Sequence, residues 1–177
     1  MASMASVVLV TGGARSGKSR IAEARVEAQP APWGYVATAE AGDGEMAERI
    51  RHHRARRGAG WQTVEASLDL VAGLDAAVAA GARACLVDCL TLWLSNLLHA
   101  EADVDAAADG LCRWLAEAPV PVVLVTNEVG AGIVPLNALA RAFRDEAGRL
   151  NQRVAAAADE VILAVAGLPL TLKAPAG

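Results

Sequence analysis

Residues Gly12, Gly13, Ala14, Arg15, Ser16, Gly17, Lys18 and Ser19 spell "GGARSGKS", which fits the spacing G-x-x-x-x-G-K-[ST]. Glycines at these positions let backbone N–H groups curl around nucleotide phosphates. A helix starting immediately afterwards adds the partial positive charge of its N-terminus. Lys18 is placed to reach the terminal phosphates, and the Ser19 hydroxyl to hold Mg²⁺. The chain has 14 arginines but only two lysines, Lys18 and Lys173. An arginine-favouring composition thus keeps a compact ammonium at the one loop position that requires it. A second metal-holding acid should come from a neighbouring strand end, and Asp88, closing "ACLVD", is the Walker-B candidate. Asp88 could equally cap the apolar run "CLTLWL". The guanine motif N-K-x-D is missing from the sequence, which shifts the reading from a GTPase switch towards a transferase.

A second stretch with chemical potential is "ERIRHHRARRGAGW", residues 48–61, which packs five arginines around His52 and His53. On a helix, Met46, Ile50, His53 and Arg57 share one face, whereas His52 falls about 100° away near Glu45, Glu48, Arg49 and Arg56. Guanidiniums around an imidazole disfavour its protonation. A neutral ring nitrogen is a nucleophile, and arginines beside it would bind the phosphates it attacks. Acidic residues early and basic ones late also describe an ordinary solvated helix that suits its own dipole. The residue pattern alone leaves both readings open.

These residues need a frame. "SVVLVTGG" is a buried β-branched strand, and a helix from about Gly17 to Ala28 follows, stopped by "QPAPWG". "WGYVATAE" reads as a second strand, Glu45 to Arg57 as a helix, and "WQTVEAS" as a third strand. The helix "LDLVAGLDAAVAAG" leads into the strand "RACLVDC", then come the helices "LTLWLSNLLHA" and "VDAAADGLCRWLAEA". "VPVVLVTNE" is strongly strand-like, "NALARAFRDEAGRLNQRVAAAA" is a long amphipathic helix, and "DEVILAVAG" with "LPLTLK" suggests a closing hairpin. Alternating strands and helices predict an α/β fold of P-loop type. Its sheet would be mainly parallel, flanked by helices, with an antiparallel C-terminal hairpin. No internal repeat or linker divides residues 1–177, so one domain is expected.

A hydrophobic content of 54% with 20% charge excludes a disordered chain. A net charge of −4 argues against nucleic acid as the partner of the arginines. Three cysteines, Cys85, Cys89 and Cys112, lack disulfide or metal spacing and suit a reducing cytoplasm. "MASMAS" has no basic segment of a signal peptide, and no apolar run reaches the roughly 18 residues of a membrane span. Glu128, at a strand's C-terminal end, is a weaker candidate for substrate contact than for a local hydrogen bond. His99 reads as a helix-end residue.

Taken together, "LVTGGARSGKSR", "EMAERIRHHRARR", "VVLVTNEVGAGIVP" and "LARAFRDEAGRLNQRVAAAADEV" resemble the bifunctional adenosylcobinamide kinase/adenosylcobinamide-phosphate guanylyltransferase family, in order and over nearly the whole chain. The resemblance implies that a nucleoside triphosphate, ATP or GTP, phosphorylates adenosylcobinamide. GTP then gives GMP to adenosylcobinamide phosphate through a histidine–GMP intermediate. It assigns His52 as the nucleophile. It implies nucleotide contacts from the phosphate loop, from Thr38, Ala39 and Glu40, from His53, Arg54, Ala55 and Arg56, and from Glu65 and Asp88. A homotrimer is also implied. A P-loop kinase of another small molecule, with the basic helix as a lid, is the competing enzyme reading. A nucleotide-gated binding module is the non-enzymatic one.

Overall fold

The computed structural model describes residues 6–39 and 58–175. The expected helix over 45–57 therefore lies outside the described residues. Seven strands form one sheet: β1 Val7–Thr11, β2 Trp33–Ala37, β3 Trp61–Glu65, β4 Ala84–Asp88, β5 Val122–Val125, β6 Glu160–Val165 and β7 Leu168–Lys173. Their spatial order is β3-β2-β4-β5-β1-β6-β7. All neighbours are parallel except β6 and β7, which pair antiparallel as the glycine turn between them predicts.

The described helices are α1 Lys18–Glu27, α2 Leu70–Ala79, α3 Leu90–His99, α4 Val104–Ala116 and α5 Ala138–Ala157. Side-chain alternation sends each central strand's apolar residues to both faces, and both are covered. Val8, Val10, Leu86, Val123 and Val125 meet Ala22 and Val26 of α1. Val7, Leu9, Cys85, Val87 and Leu124 meet a larger layer that includes Leu74, Leu94, Leu111 and Leu150 from α2 to α5. Helix starts carry their own caps: Asp69, Asp103 and Asn137 accept from Ala72, Ala106 and Ala140 N–H at 2.9, 2.9 and 2.7 Å. No helix among the described residues is long and apolar enough to cross a membrane.

Cys85 and Cys89 are buried, and burial pushes both thiols up to about 11. They behave as small apolar side chains, as expected. His99 closes α3, with Nδ1 2.7 Å from the Ser95 carbonyl.

Candidate nucleotide site

Parallel pairing brings the carboxyl ends of the central strands to one edge. Ala37 lies opposite Asp88, Asp88 opposite Val125, and Val125 opposite Val10, just ahead of the phosphate loop. Ligands in open α/β sheets bind at this edge.

The loop from Gly12 to Gly17 delivers the chain into α1. Gly12 sits at φ 150°, where a Cβ would stand 2.5 Å from the Ala164 carbonyl oxygen. Gly17 sits at φ 95°, where a Cβ would meet Gly167 Cα at 3.0 Å. Both positions therefore require glycine on conformational and steric grounds. The neighbour in each case belongs to the β6–β7 hairpin. Its turn, with Ala166 at φ 52° and Gly167 at φ 80°, rests directly on the loop. Gly167 N–H donates to the Ser16 carbonyl at 2.9 Å, and the Arg20 guanidinium donates to the Gly167 carbonyl at 3.2 Å. The closing hairpin thus braces the phosphate loop, a contact that nothing in the loop's own sequence announces.

Lys18 is 7% exposed, and its ammonium donates to the Gly13 carbonyl at 2.5 Å and lies 3.5 Å from Ser16 Oγ. Burial lowers its pKa from the ordinary 10.5, opposed by the negative charge of Cys89, when ionised, and of Asp88. Asp88 accepts a hydrogen bond from the Tyr35 hydroxyl at 3.0 Å through Oδ2, which fixes the carboxylate. The helix cap ahead of α3 is Cys89, without a side-chain bond, so Asp88 does not serve as that cap. Tyr35 is itself buried and packs edge-on to Trp61 at 6.3 Å.

Thr38 is fully buried, and its hydroxyl bridges both backbone groups of Cys89, donating to the carbonyl at 2.7 Å and accepting from the N–H at 2.8 Å. The Asn96 carboxamide holds the Thr38 carbonyl at 2.8 Å. The Thr38 side chain is thereby committed to positioning the segment that carries Asp88. Ala39 follows half-buried, and Glu65 stands exposed at the end of β3, opposite Ala37. Glu40, His52, His53, Arg54, Ala55 and Arg56 lie outside the described residues.

A cavity of about 680 Å³ opens above this edge, lined by Ala14, Arg15, Lys18, Ser19, Asp88 and Cys89 from the expected site and its neighbour. Its other wall is Val125, Asn127, Glu128 and Val129, at the end of β5. Glu128 accepts from Gly130 N–H at 2.5 Å, the local role expected for it. Among the described residues no group of three His, Cys, Asp or Glu side chains is placed to hold a metal ion. A hydroxyl and one carboxylate suit a cation that keeps waters and substrate phosphates as its other ligands, as Mg²⁺ does.

The family model described as cobinamide kinase / cobinamide phosphate guanyltransferase matches residues 8–172, which includes the loop, Asp88 and the bracing hairpin. The chain belongs to this family. It is 50% identical over 167 residues to the bifunctional adenosylcobalamin biosynthesis protein CobP of Pseudomonas aeruginosa, covering 93% of this chain and 96% of that one. It is 46% identical over 182 residues to the bifunctional adenosylcobalamin biosynthesis protein CobU of Salmonella typhimurium, covering 94% of this chain and 99% of that one. Among solved structures, a KaiC-like protein from Pyrococcus horikoshii OT3 matches with a TM-score of 0.52 at 17% identity, covering 89% of this chain and 71% of that chain. An ATPase from a bacterial type III secretion system matches with a TM-score of 0.57 at 11% identity, covering 94% of this chain and 56% of that chain. At such identities these two establish the fold alone, a mainly parallel sheet flanked by helices.

Sequence reasoning missed Asn127 as a wall of the cavity, Tyr35 as the partner of Asp88, the hairpin turn against the loop, and Thr91 and Asn151, which hold the Asn127 N–H and carbonyl. The motifs "VTNE" and "RLNQ" contained a signal: polar residues embedded where periodicity calls for apolar ones.

Proposed function

We propose that this protein phosphorylates the aminopropanol hydroxyl of adenosylcobinamide with a nucleoside triphosphate and then transfers GMP from GTP to the new phosphate, giving adenosylcobinamide-GDP and pyrophosphate. The observation that carries this reading is the convergence of Lys18, Ser19 and Asp88 on one cavity, in a chain matched by the family model from residue 8 to 172.

In the first reaction the substrate hydroxyl oxygen attacks the γ-phosphorus, the bond to the β-phosphate oxygen breaks, and the hydroxyl proton passes to solvent. Backbone N–H groups of residues 13–19 and the Lys18 ammonium hold the triphosphate and neutralise charge on its terminal oxygens. Ser19 and Asp88 would hold Mg²⁺, which when bound offsets the charge on the phosphate oxygens. Tyr35 keeps the Asp88 carboxylate in place for this.

In the second reaction a neutral His52 nitrogen attacks the α-phosphorus of GTP and pyrophosphate leaves. An oxygen of adenosylcobinamide phosphate then attacks the histidine-bound phosphorus, and the P–N bond breaks to restore His52. This step, the arginines that assist it, and the nucleotide contacts of Thr38, Ala39, Glu40, His53, Arg54, Ala55, Arg56 and Glu65 rest on the family resemblance. We place the reactions in the cytoplasm, where ATP and GTP are supplied, and expect a homotrimer. Self-association is supported by the exposed leucines 168, 170 and 172 along the edge strand β7.

The test is incubation with adenosylcobinamide, Mg²⁺ and GTP or ATP, with products resolved by mass. Adenosylcobinamide-GDP and pyrophosphate are expected with GTP. Accumulation of adenosylcobinamide phosphate alone would keep the kinase step and overturn the guanylyltransferase step. Nucleotide binding with no corrinoid product would overturn the reading and leave the kinase of another small molecule and the binding module.

A further inference from the structure

The end of β5 is fixed on every side. Thr126 N–H donates to the Val10 carbonyl at 3.0 Å and Glu128 N–H to the Gly12 carbonyl at 3.0 Å, so the β1–β5 ladder runs on into the phosphate loop. Asn127 lies between them. Its own N–H donates to Thr91 Oγ1 at 2.8 Å, and its carbonyl accepts from Asn151 Nδ2 at 3.3 Å. Asn151 Oδ1 in turn accepts from the Thr126 hydroxyl at 2.7 Å, and the Thr91 and Thr126 hydroxyls are 3.4 Å apart. Side chains from α3 and α5 thus hold the Asn127 backbone, and Thr126, just past β5, ties the two together.

The Asn127 carboxamide is left out of this network. Among the described residues it has no hydrogen-bond partner, yet it is half-buried and lines the same cavity as Lys18, Ser19 and Asp88. Its strand sits between β1, which carries the loop, and β4, which carries Asp88. A carboxamide brings two N–H donors and no charge, so it can bond a phosphate oxygen without repelling the metal or Lys18. With the backbone on both sides of it fixed, only the carboxamide's own side-chain rotation remains to be set as charge develops on its acceptor.

We propose that Asn127 is a catalytic residue whose Nδ2 donates to a non-bridging oxygen of the terminal phosphoryl group during its transfer, with Thr91 and Asn151 as positioning residues. Asn127 exchanges no proton. The bond that forms joins the acceptor oxygen to the γ-phosphorus, and the bond that breaks is the one to the β-phosphate oxygen. The proposal rests on the kinase reading above and adds to it the group that recognises the terminal phosphate.

The experiment pairs kinetics with binding. Asn127→Ala is expected to lower the kinase kcat by about 10²-fold, the scale of one preorganised donor, while the KM for adenosylcobinamide stays within about 3-fold. Thr91→Val should lower kcat in the same direction, and Thr91→Ser should restore it. Equilibrium binding of α,β-methylene GTP and α,β-methylene GDP gives a readout that needs no corrinoid. Wild type should prefer the triphosphate by more than Asn127→Ala does, with diphosphate affinity alike in both. An unchanged kcat and an unchanged preference in Asn127→Ala would overturn the proposal. Equal losses of triphosphate and diphosphate affinity would also overturn it, since they would mark a collapsed site. Wild-type failure to phosphorylate adenosylcobinamide would sink the proposed function instead, and the binding preference would still decide the role of Asn127.

Discussion

Replacing Thr38 with valine keeps side-chain volume and removes only the hydroxyl that bridges Cys89. The Cys89 N–H, which it serves at 2.8 Å, lies on a residue only 6% exposed and does not regain water, whereas the Cys89 carbonyl, served at 2.7 Å, keeps the Trp93 N–H at 3.1 Å. Leaving a buried donor or acceptor unmatched costs roughly 1–3 kcal/mol each. The one unmatched N–H sets an expected loss of about 2 kcal/mol. In a chain of this size that corresponds to a fall in Tm of about 4–8 °C. Urea unfolding followed by tryptophan fluorescence should show a lower midpoint at constant slope. Because Cys89 directly follows Asp88, the variant should also need more Mg²⁺ to reach half-maximal kinase rate. Thr38→Ser keeps the bridge and should recover both properties. A Thr38→Val stability within about 0.5 kcal/mol of wild type, the range of a neutral surface change, would refute the reasoning. So would a Thr38→Ser variant as unstable as Thr38→Val.

Two further outcomes follow from the loop and the cysteines. Gly12→Ala and Gly17→Ala should each weaken nucleotide binding at least tenfold by calorimetry, because both force a Cβ against hairpin backbone at positive φ. Both should also lower the melting temperature, whereas Gly13→Ala, where a Cβ meets nothing within 4 Å, should leave it unchanged; an equal fall in that variant would refute the steric account. Cys85 and Cys89 have folded-state pKa values raised from 9.0 to about 11, so the folded state holds their protons longer than the unfolded chain. Their contribution is full below pH 9 and is lost as pH rises through about 11. Urea midpoints should therefore fall over that window, less steeply in Cys85→Ala; an identical slope in that variant would contradict the assignment.

The phosphate loop was legible because its information is local: the glycines, Lys18 and Ser19 are consecutive, and the strand and helix around them follow from apolar periodicity. The same holds for the β6–β7 hairpin, whose turn glycine is explicit. Asp88 could be located at a strand end, but not its orientation. Tyr35 reads as one more apolar strand residue, and its bond to Asp88 depends on the β2–β4 register that sets Ala37 opposite Asp88. Thr38 likewise looks like a site residue by position, while its hydroxyl is committed to Cys89, 51 residues away. The bracing of Ser16 by Gly167 joins residues from opposite ends of the chain. Such pairings come from strand order, which periodicity does not encode. The stretch "ERIRHHRARRGAGW" remains what the sequence and the family make of it, since residues 48–57 lie outside the described residues.

The most direct test of the central claim is therefore incubation with GTP labelled at the α-phosphate, without corrinoid, on wild type and His52→Ala. The account predicts an acid-labile, base-stable label on the wild-type chain that adenosylcobinamide phosphate discharges, and no label on His52→Ala. A wild-type chain that makes adenosylcobinamide phosphate yet takes up no label, or a His52→Ala chain that labels as well as wild type, would contradict it.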